Sequence, residues 1–315
     1  MKALRILGKE FILGLGIVGG EKNVYLQKQM IITMRKEELK NKNPWNRVVE
    51  NFHANETDCL LLVEDKGQYV CMKDKKAIQE YNTKCAKAKK EDNQIITNTP
   101  PEPWRGNPLE ANLVILSLNP GYSHVINETL AKLIQSNDIV RTQLANFRKR
   151  TLSLDAESFL PEDEKKGVIS CEEAEDMLSG WYWSKRFYAL QKELEMSANL
   201  TKKEFYRKVA VIEYHGYSSK LATTGLPLLP SQEFVRNLVK YISSKESTVF
   251  LIMRAMDKWE PLLNRENDMI WDTLVEKKKL IYKTKPGRCQ YITKDNLKEC
   301  NNKNGYEIIK DVLLT

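Results

Sequence analysis

The sequence predicts an α/β domain, a three-layer sandwich in which helices cover both faces of a four-stranded, mostly parallel sheet. The first observation is a set of continuous apolar runs, which are typical of strands that are buried on both faces. The second is that helical segments of ten or more residues separate these runs, as in parallel strands joined by crossover helices. The predicted strands are residues 113–118, 209–212, 249–253 and 280–282.

Helices are predicted in the connections between these strands. Two helices, at about residues 128–150 and 172–196, flank an acidic loop at residues 155–164. Ser231 is placed to cap the next helix, and a further helix is predicted at about residues 259–275. The helix after Ser231 carries an apolar stripe with helical spacing, which consists of Phe234, Val235, Leu238, Val239 and Ile242.

The sequence predicts that residues 1–100 form a basic extension, and its residue pattern does not define the structure of this extension. This part is rich in lysine, and only a short helix after Asn43 and Pro44 and a short strand at residues 60–63 are indicated. The prolines at residues 100–103 mark a boundary, because proline neither continues a helix nor donates to a sheet. We therefore expect the α/β domain to occupy residues 101–315.

The net charge and the cysteine spacing limit the classes of function that the protein can have. The net charge is +8, with a pI near 9.0, which favours an anionic partner such as DNA, although a basic protein without a nucleic-acid role has the same property. None of the six cysteines forms a C-x-x-C pair, so zinc ribbons and iron–sulfur clusters have no support, and scattered thiols favour a cytoplasmic location. The apolar run at residues 11–20 is too short to span a membrane. We expect no metal, no cofactor, no membrane association and no obligate protein partner.

The residues that follow the predicted strands are the candidates for a site. In an open parallel sheet, ligands bind beyond the carboxyl ends of the strands. Amide, aromatic, histidine and cationic side chains are concentrated there, although any α/β fold places polar residues in these loops. The segments are Asn119-Pro120-Gly121-Tyr122, Tyr214-His215, Arg254 and Lys285-Pro286-Gly287-Arg288.

Residues 116–122, Leu-Ser-Leu-Asn-Pro-Gly-Tyr, resemble the first motif of the uracil-DNA glycosylase superfamily, in the Asn-Pro-Gly form of the mismatch-specific uracil-DNA glycosylases. In that family the asparagine closes the first core strand and positions the attacking water. The resemblance covers about residues 103–300 and implies the family's fold and a DNA glycosylase activity. The family's last motif, His-Pro-Ser or Asn-Pro-Ser before a minor-groove loop, is represented here by Lys285-Pro286-Gly287, so Lys285 replaces the histidine or asparagine.

The resemblance and the chemistry together suggest a role for each candidate. Glycosidic cleavage places positive charge on the sugar and negative charge on the departing base, so both need electrostatic stabilisation. Asn119 is predicted to orient a water molecule, while Lys285 or His215 assists the leaving base. His215 also fits a structural histidine, and Tyr214 also fits a core tyrosine. The predicted base-binding residues are Pro120, Gly121, Tyr122 and Tyr214, and the predicted DNA-binding residues are Arg254, Pro286, Gly287, Arg288 and Tyr291.

These features predict a monofunctional DNA glycosylase that acts on a damaged or modified base. The change at Lys285 argues against ordinary uracil as the sole substrate, and a modified base of viral DNA, as in a defence enzyme, is one option. Either Arg288 or Tyr291 is expected to support the vacated base stack. The alternative is a catalytically silent α/β module that binds nucleic acid. A nucleotide-binding protein is disfavoured because neither G-x-G-x-x-G nor a P-loop is present.

Overall fold

The structure is a computed structural model that divides into two compact units, residues 1–41 and residues 42–315. In the first unit, residues 35–41 are helical, and the fold described below is that of the second unit. The predicted strand at residues 60–63 and most of the predicted helix at residues 128–150 lie outside the described residues. The structure describes residues 35–46, 69–97, 101–121, 150–154, 181–283, 291–300 and 303–315.

One sheet organises the second unit. Its strands are β1 (Trp104–Arg105), β2 (Leu113–Ser117), β3 (Val209–Glu213), β4 (Val249–Ile252) and β5 (Leu280–Tyr282), in the order β1-β3-β2-β4-β5. The four predicted strands are confirmed, and they run parallel to one another. The predicted number of strands was wrong, because β1 adds a fifth that is antiparallel to β3. A two-residue edge strand that follows several prolines carries no recognisable apolar run.

The described residues of the second unit include seven helices with defined bounds and a small hairpin. The predicted helix at residues 259–275 is instead two helices, because Glu266 and Asn267 adopt positive φ angles of 57° and 65° in the 3-10 turn between them. The strands β6 (Glu299–Cys300) and β7 (Lys303–Asn304) form the hairpin. The helices are α1 (Lys75–Lys87), α2 (Trp181–Ala198), α3 (Lys202–Arg207), α4 (Gln232–Ser243), α5 (Met256–Leu263), α6 (Ile270–Glu276) and α7 (Gly305–Leu314).

Helices pack on both faces of the sheet. Alternate strand residues such as Ile115 and Val211 share a buried cluster with Phe187 of α2 and Ile309 of α7. On the other face Phe234 of α4 contacts Trp104, which lies opposite Ile212 in the register of β1 and β3. Side chains that alternate between two covered faces explain why β2 and β3 are buried throughout and apolar up to their last residues, Ser117 and Glu213.

Residues 69–97 belong to the second unit, although the sequence placed them in the extension. Helix α1 buries Ile78, Tyr81 and Cys85, and these side chains cluster with Tyr217 and Leu229 from the segment between β3 and α4. This segment of the chain therefore packs beside the carboxyl end of β3. Among the described residues, no helix is both long enough and apolar enough to cross a membrane.

Candidate active site

The strand order places a crevice at the carboxyl ends of β2 and β4. From β2 the chain proceeds to β3 on one side, whereas from β4 it proceeds to β5 on the other side. Neighbouring parallel strands whose connections leave in opposite directions form the crevice in which open α/β sheets bind ligands. The turn after β2 carries Asn119, and the turn after β4 carries Arg254. Two of the predicted site residues therefore flank the topological switch point.

Among the described residues, only the Nδ2 side of the Asn119 amide makes hydrogen bonds in the turn after β2. Its Nδ2 donates hydrogen bonds to Ser219 Oγ at 2.9 Å and to the Pro120 carbonyl oxygen at 3.0 Å. Gly121 is exposed and forms a parallel bridge with Ser219, and a Cβ at Gly121 would meet no atom of the described residues within 4 Å. The turn is thus held through Ser219.

The turn after β3 is bonded to the turn after β2. The Tyr214 and His215 amides donate to the carbonyl oxygens of Ser117 and Leu118, at 3.1 and 3.2 Å. These bonds continue the parallel pairing past the ends of the strands. The two turns therefore have a defined spacing, which the strand register sets.

Glu213 is a buried acid at the last position of β3. It lies opposite Ser117 in the register, hydrogen-bonds to it, and its Oε2 has no hydrogen-bond partner among the described residues. Burial raises the pKa of Glu213 to about 7, although the positive charges of Arg105 and Arg254 act in the opposite direction. The sequence analysis did not select Glu213, and the available signal was an acid that directly follows a run of buried apolar residues.

His215 is enclosed behind the turn. The ring is 1% exposed, and its Nε2 lies 2.7 Å from Thr223 Oγ1. Burial, with a contribution from Lys258, lowers the pKa of His215 to about 3, so the imidazole is neutral at neutral pH. A neutral, enclosed imidazole is a poor proton donor to a leaving base. These observations favour the structural alternative for His215 over the catalytic one.

Tyr214 is half-buried beside α5. Its ring packs edge-on against Trp259, with the centroids 5.5 Å apart, and Lys258 Nζ lies 5.7 Å from the Tyr214 centroid. The indole of Trp259 in turn donates to the Ser117 carbonyl oxygen at 2.7 Å. Tyr214 is thus part of the packing that supports the ends of β2 and β3, with a cation beside its ring.

The turn after β4 has a strained backbone. Ala255 adopts the left-handed conformation, with φ 57° and ψ 41°, directly after the exposed Arg254. This conformation costs a residue with a Cβ roughly 1–2 kcal/mol, and such residues concentrate at functional sites. The positive charge of Arg254 acts on Glu213, because it opposes the rise in the pKa of that carboxyl that burial causes.

Tyr291, the predicted wedge candidate within the described residues, packs against Arg186 of α2. Its ring is 48% exposed, and the Arg186 guanidinium lies 5.1 Å from the ring centroid. The backbone is also tied to this helix, because the Ile292 amide donates to the Arg186 carbonyl oxygen at 3.1 Å. The other predicted site residues, Tyr122, Lys285, Pro286, Gly287 and Arg288, lie outside the described residues.

The loop between β3 and α4 forms a wall of the site, and residues 69–97 anchor it. Buried Asp74 accepts hydrogen bonds from the Tyr217 hydroxyl at 2.7 Å and from the Ser231 amide at 2.9 Å. The Cys71 amide donates to the same hydroxyl at 3.0 Å. Ser231 precedes α4 as predicted, but its side chain makes no capping bond. The loop that carries Ser219 and Thr223 is therefore fastened at both ends by Asp74.

The described residues contain no group of three or more potential metal ligands. Comparisons with protein-family models, curated proteins and solved structures give no significant match to this chain.

Proposed function

We propose that the protein is a DNA glycosylase that hydrolyses the N-glycosidic bond of a damaged or modified base. The observation that carries the proposal is the location of Asn119, in a turn that resembles the first motif of the uracil-DNA glycosylase superfamily, at the topological switch point. Its Nδ2 is engaged by Ser219 and Pro120, and its Oδ1 accepts no hydrogen bond from the described residues. That oxygen is available to a water molecule.

In the proposed reaction Asn119 orients the attacking water, and the surrounding charges stabilise the separating sugar and base. We assign the contact with the leaving base to Lys285, which occupies the place of the histidine or asparagine in the family's last motif. Among the described residues near the crevice, Arg254 supplies positive charge for a DNA phosphate. We propose a bulky modified base, such as one in viral DNA, as the substrate class.

The test is incubation of the protein with duplexes that each contain one damaged or modified base, followed by alkaline cleavage to reveal abasic sites. We expect base release from at least one duplex, its loss in Asn119→Ala, and its retention in the matched surface variant Asn237→Ala, whose side chain lies on α4. Base release by wild type and Asn119→Ala at equal rates contradicts the proposal.

The same duplexes distinguish a glycosylase from the alternative function, a silent module that binds nucleic acid. DNA binding that weakens steeply with salt, without base release from any duplex, identifies a silent nucleic-acid-binding module instead. The net charge of +8 makes salt-dependent binding an expectation of both functions, so base release is the observation that decides between them.

A further inference from the structure

The single hydroxyl proton of Ser219 is already used in a hydrogen bond. Its Oγ donates to the Leu221 carbonyl oxygen at 2.5 Å, and the same oxygen lies 2.9 Å from Asn119 Nδ2. A serine hydroxyl carries one hydrogen and two lone pairs. Ser219 therefore acts only as an acceptor toward Asn119, and the Asn119 group that donates to it must be the NH₂.

The second partner of Asn119 imposes the same orientation. The Pro120 carbonyl oxygen, which is also an acceptor without a proton, lies 3.0 Å from Nδ2. Rotating the amide by half a turn would set Oδ1 against two acceptor oxygens and would lose both hydrogen bonds. The amide of Asn119 thus has one orientation that fits its described neighbours, in which Oδ1 accepts no hydrogen bond from any of them.

We propose that Ser219 is a positioning residue for the reaction, because it fixes the amide orientation that lets Asn119 Oδ1 accept a hydrogen bond from the attacking water. This inference rests on the proposed function and names a residue on which that function depends. A rotated amide would donate to the water oxygen and occupy the lone pair that attacks.

The step in which this orientation matters is hydrolysis. The water oxygen forms a bond to C1′ of the sugar as the bond from C1′ to the base nitrogen breaks, and the electron pair of that bond leaves with the base. The proton that the water loses passes to solvent, and the departing base gains one, so the products are a sugar hydroxyl and a neutral base. Asn119 holds the water in place and does not itself exchange a proton.

The loop geometry gives Ser219 a stable position. Gly121 pairs with Ser219 along the backbone, and the Ile96 amide donates to the neighbouring Ser218 carbonyl oxygen at 2.9 Å. Ser219 is 2% exposed, so water does not readily replace its hydroxyl as the partner of Asn119. An acceptor held in this way orients an amide better than solvent does.

The kinetic test compares Ser219→Ala with Ser219→Thr, which keeps a hydroxyl, and with the neighbouring control Ser218→Ala. Ser218 lies in the same loop, and no side-chain hydrogen bond to Asn119 is assigned to it. Under single-turnover conditions we expect Ser219→Ala to slow base release about tenfold, as for the loss of one hydrogen bond, without a change in DNA Kd. Ser219→Thr is expected to restore most of the rate, and Ser218→Ala to keep it. In an Asn119→Ala background, Ser219→Ala should add no further loss.

A second measurement is independent of the substrate. Selective ¹⁵N labelling of asparagine reports the side-chain NH₂ of Asn119, assigned by its disappearance in Asn119→Ala. We expect slow hydrogen exchange of this NH₂ in the wild type and in Ser218→Ala, and faster exchange in Ser219→Ala. Unchanged exchange in Ser219→Ala overturns the inference even if the protein is a glycosylase. Slow exchange together with no base release from any DNA overturns the proposed function and leaves the amide orientation standing.

Discussion

The turns after β2 and β3 lie side by side, yet they differ in what their polar groups do. In the turn after β2, Asn119 is half-buried, and its Oδ1 and the Cβ position of Gly121 contact none of the described residues by a hydrogen bond or within 4 Å, respectively. In the turn after β3, His215 is enclosed and pairs with Thr223. Adjacency at the carboxyl end of a sheet therefore does not give residues a common role. The loop between β3 and α4 decides which of them can reach a ligand.

The free-energy cost of burying a polar side chain explains why the two turns differ. A polar side chain that loses water on folding requires an internal partner, and the loop supplies Thr223 to His215 for this purpose. Asn119 needs only part of its hydrogen bonding satisfied because it keeps some contact with solvent. Glu213 and His215 are each satisfied in part: Glu213 is bonded to Ser117 and His215 Nε2 to Thr223, but Glu213 Oε2 and His215 Nδ1 have no hydrogen-bond partner among the described residues.

The largest expected effect concerns Glu213 and the pH dependence of stability. Its pKa is raised to about 7 in the folded protein, from the ordinary 4.5, so the folded state holds this proton more tightly than the unfolded state does. The stability from Glu213 is therefore full below pH 4.5 and is lost as the pH rises through 7. Glu213→Gln removes this titration. The free energy of unfolding of the variant minus that of wild type should therefore increase by about 3 kcal/mol as the pH rises from 4.5 to 8.

The measurement is denaturant unfolding of wild type and Glu213→Gln across this pH range. The difference between the two proteins is the quantity to follow, because His215, with its pKa lowered to about 3, contributes the opposite slope below pH 6.5. Glu276→Gln, at an exposed position on α6, serves as the control. Parallel stability curves for Glu213→Gln and wild type would show that folding does not raise the pKa of Glu213.

The next effect tests the anchoring of the loop. Asp74→Ala leaves the Tyr217 hydroxyl and the Ser231 amide without their shared acceptor, and an unsatisfied buried polar group costs about 1–3 kcal/mol. The matched control is Asp92→Ala, which removes an exposed ion pair with Lys220 and should cost less than about 1 kcal/mol. Chemical denaturation measures both. Equal losses in the two variants would mean that Asp74 does not anchor the loop.

The smallest effect concerns Tyr291, whose ring lies beside Arg186 of α2. If the exposed ring supports a vacated base stack, Tyr291→Ala should slow cleavage of duplex DNA severalfold more than cleavage of single-stranded DNA, because only the duplex requires unstacking. Tyr188→Ala, an exposed tyrosine on α2, is the control and should affect neither substrate. An equal loss on both forms of DNA would make Tyr291 a general contact surface.

The sequence was most informative where burial repeats along an element. Strands β2 to β5 were predicted because they are buried on both faces, and α4 because its apolar stripe recurs with helical spacing. The role of residues 69–97 was missed because it depends on single long-range contacts, such as that between Asp74 and Tyr217, which leave no periodic signal.

The Asn-Pro-Gly turn made Asn119 a candidate site residue, since a strand end and a turn motif are both local properties. Its role stays a prediction. The partner of His215 Nε2 is Thr223, eight residues further along the loop, and the partner of Asn119 Nδ2 is Ser219, one hundred residues away. Neither partner is distinguishable in sequence from an ordinary loop residue.

The contrast between the two turns is tested most directly by measuring base release and stability together in Asn119→Ala and Thr223→Val. We predict that Asn119→Ala lowers the single-turnover rate by about 10²–10³, the range for loss of one preorganised polar group, with little change in the free energy of unfolding. Thr223→Val leaves His215 Nε2 without its partner, so it should lower stability by about 1–3 kcal/mol while folded molecules keep the wild-type rate. The opposite result, a rate that depends on Thr223 and not on Asn119, would place the chemistry at the turn after β3 and contradict the assignment.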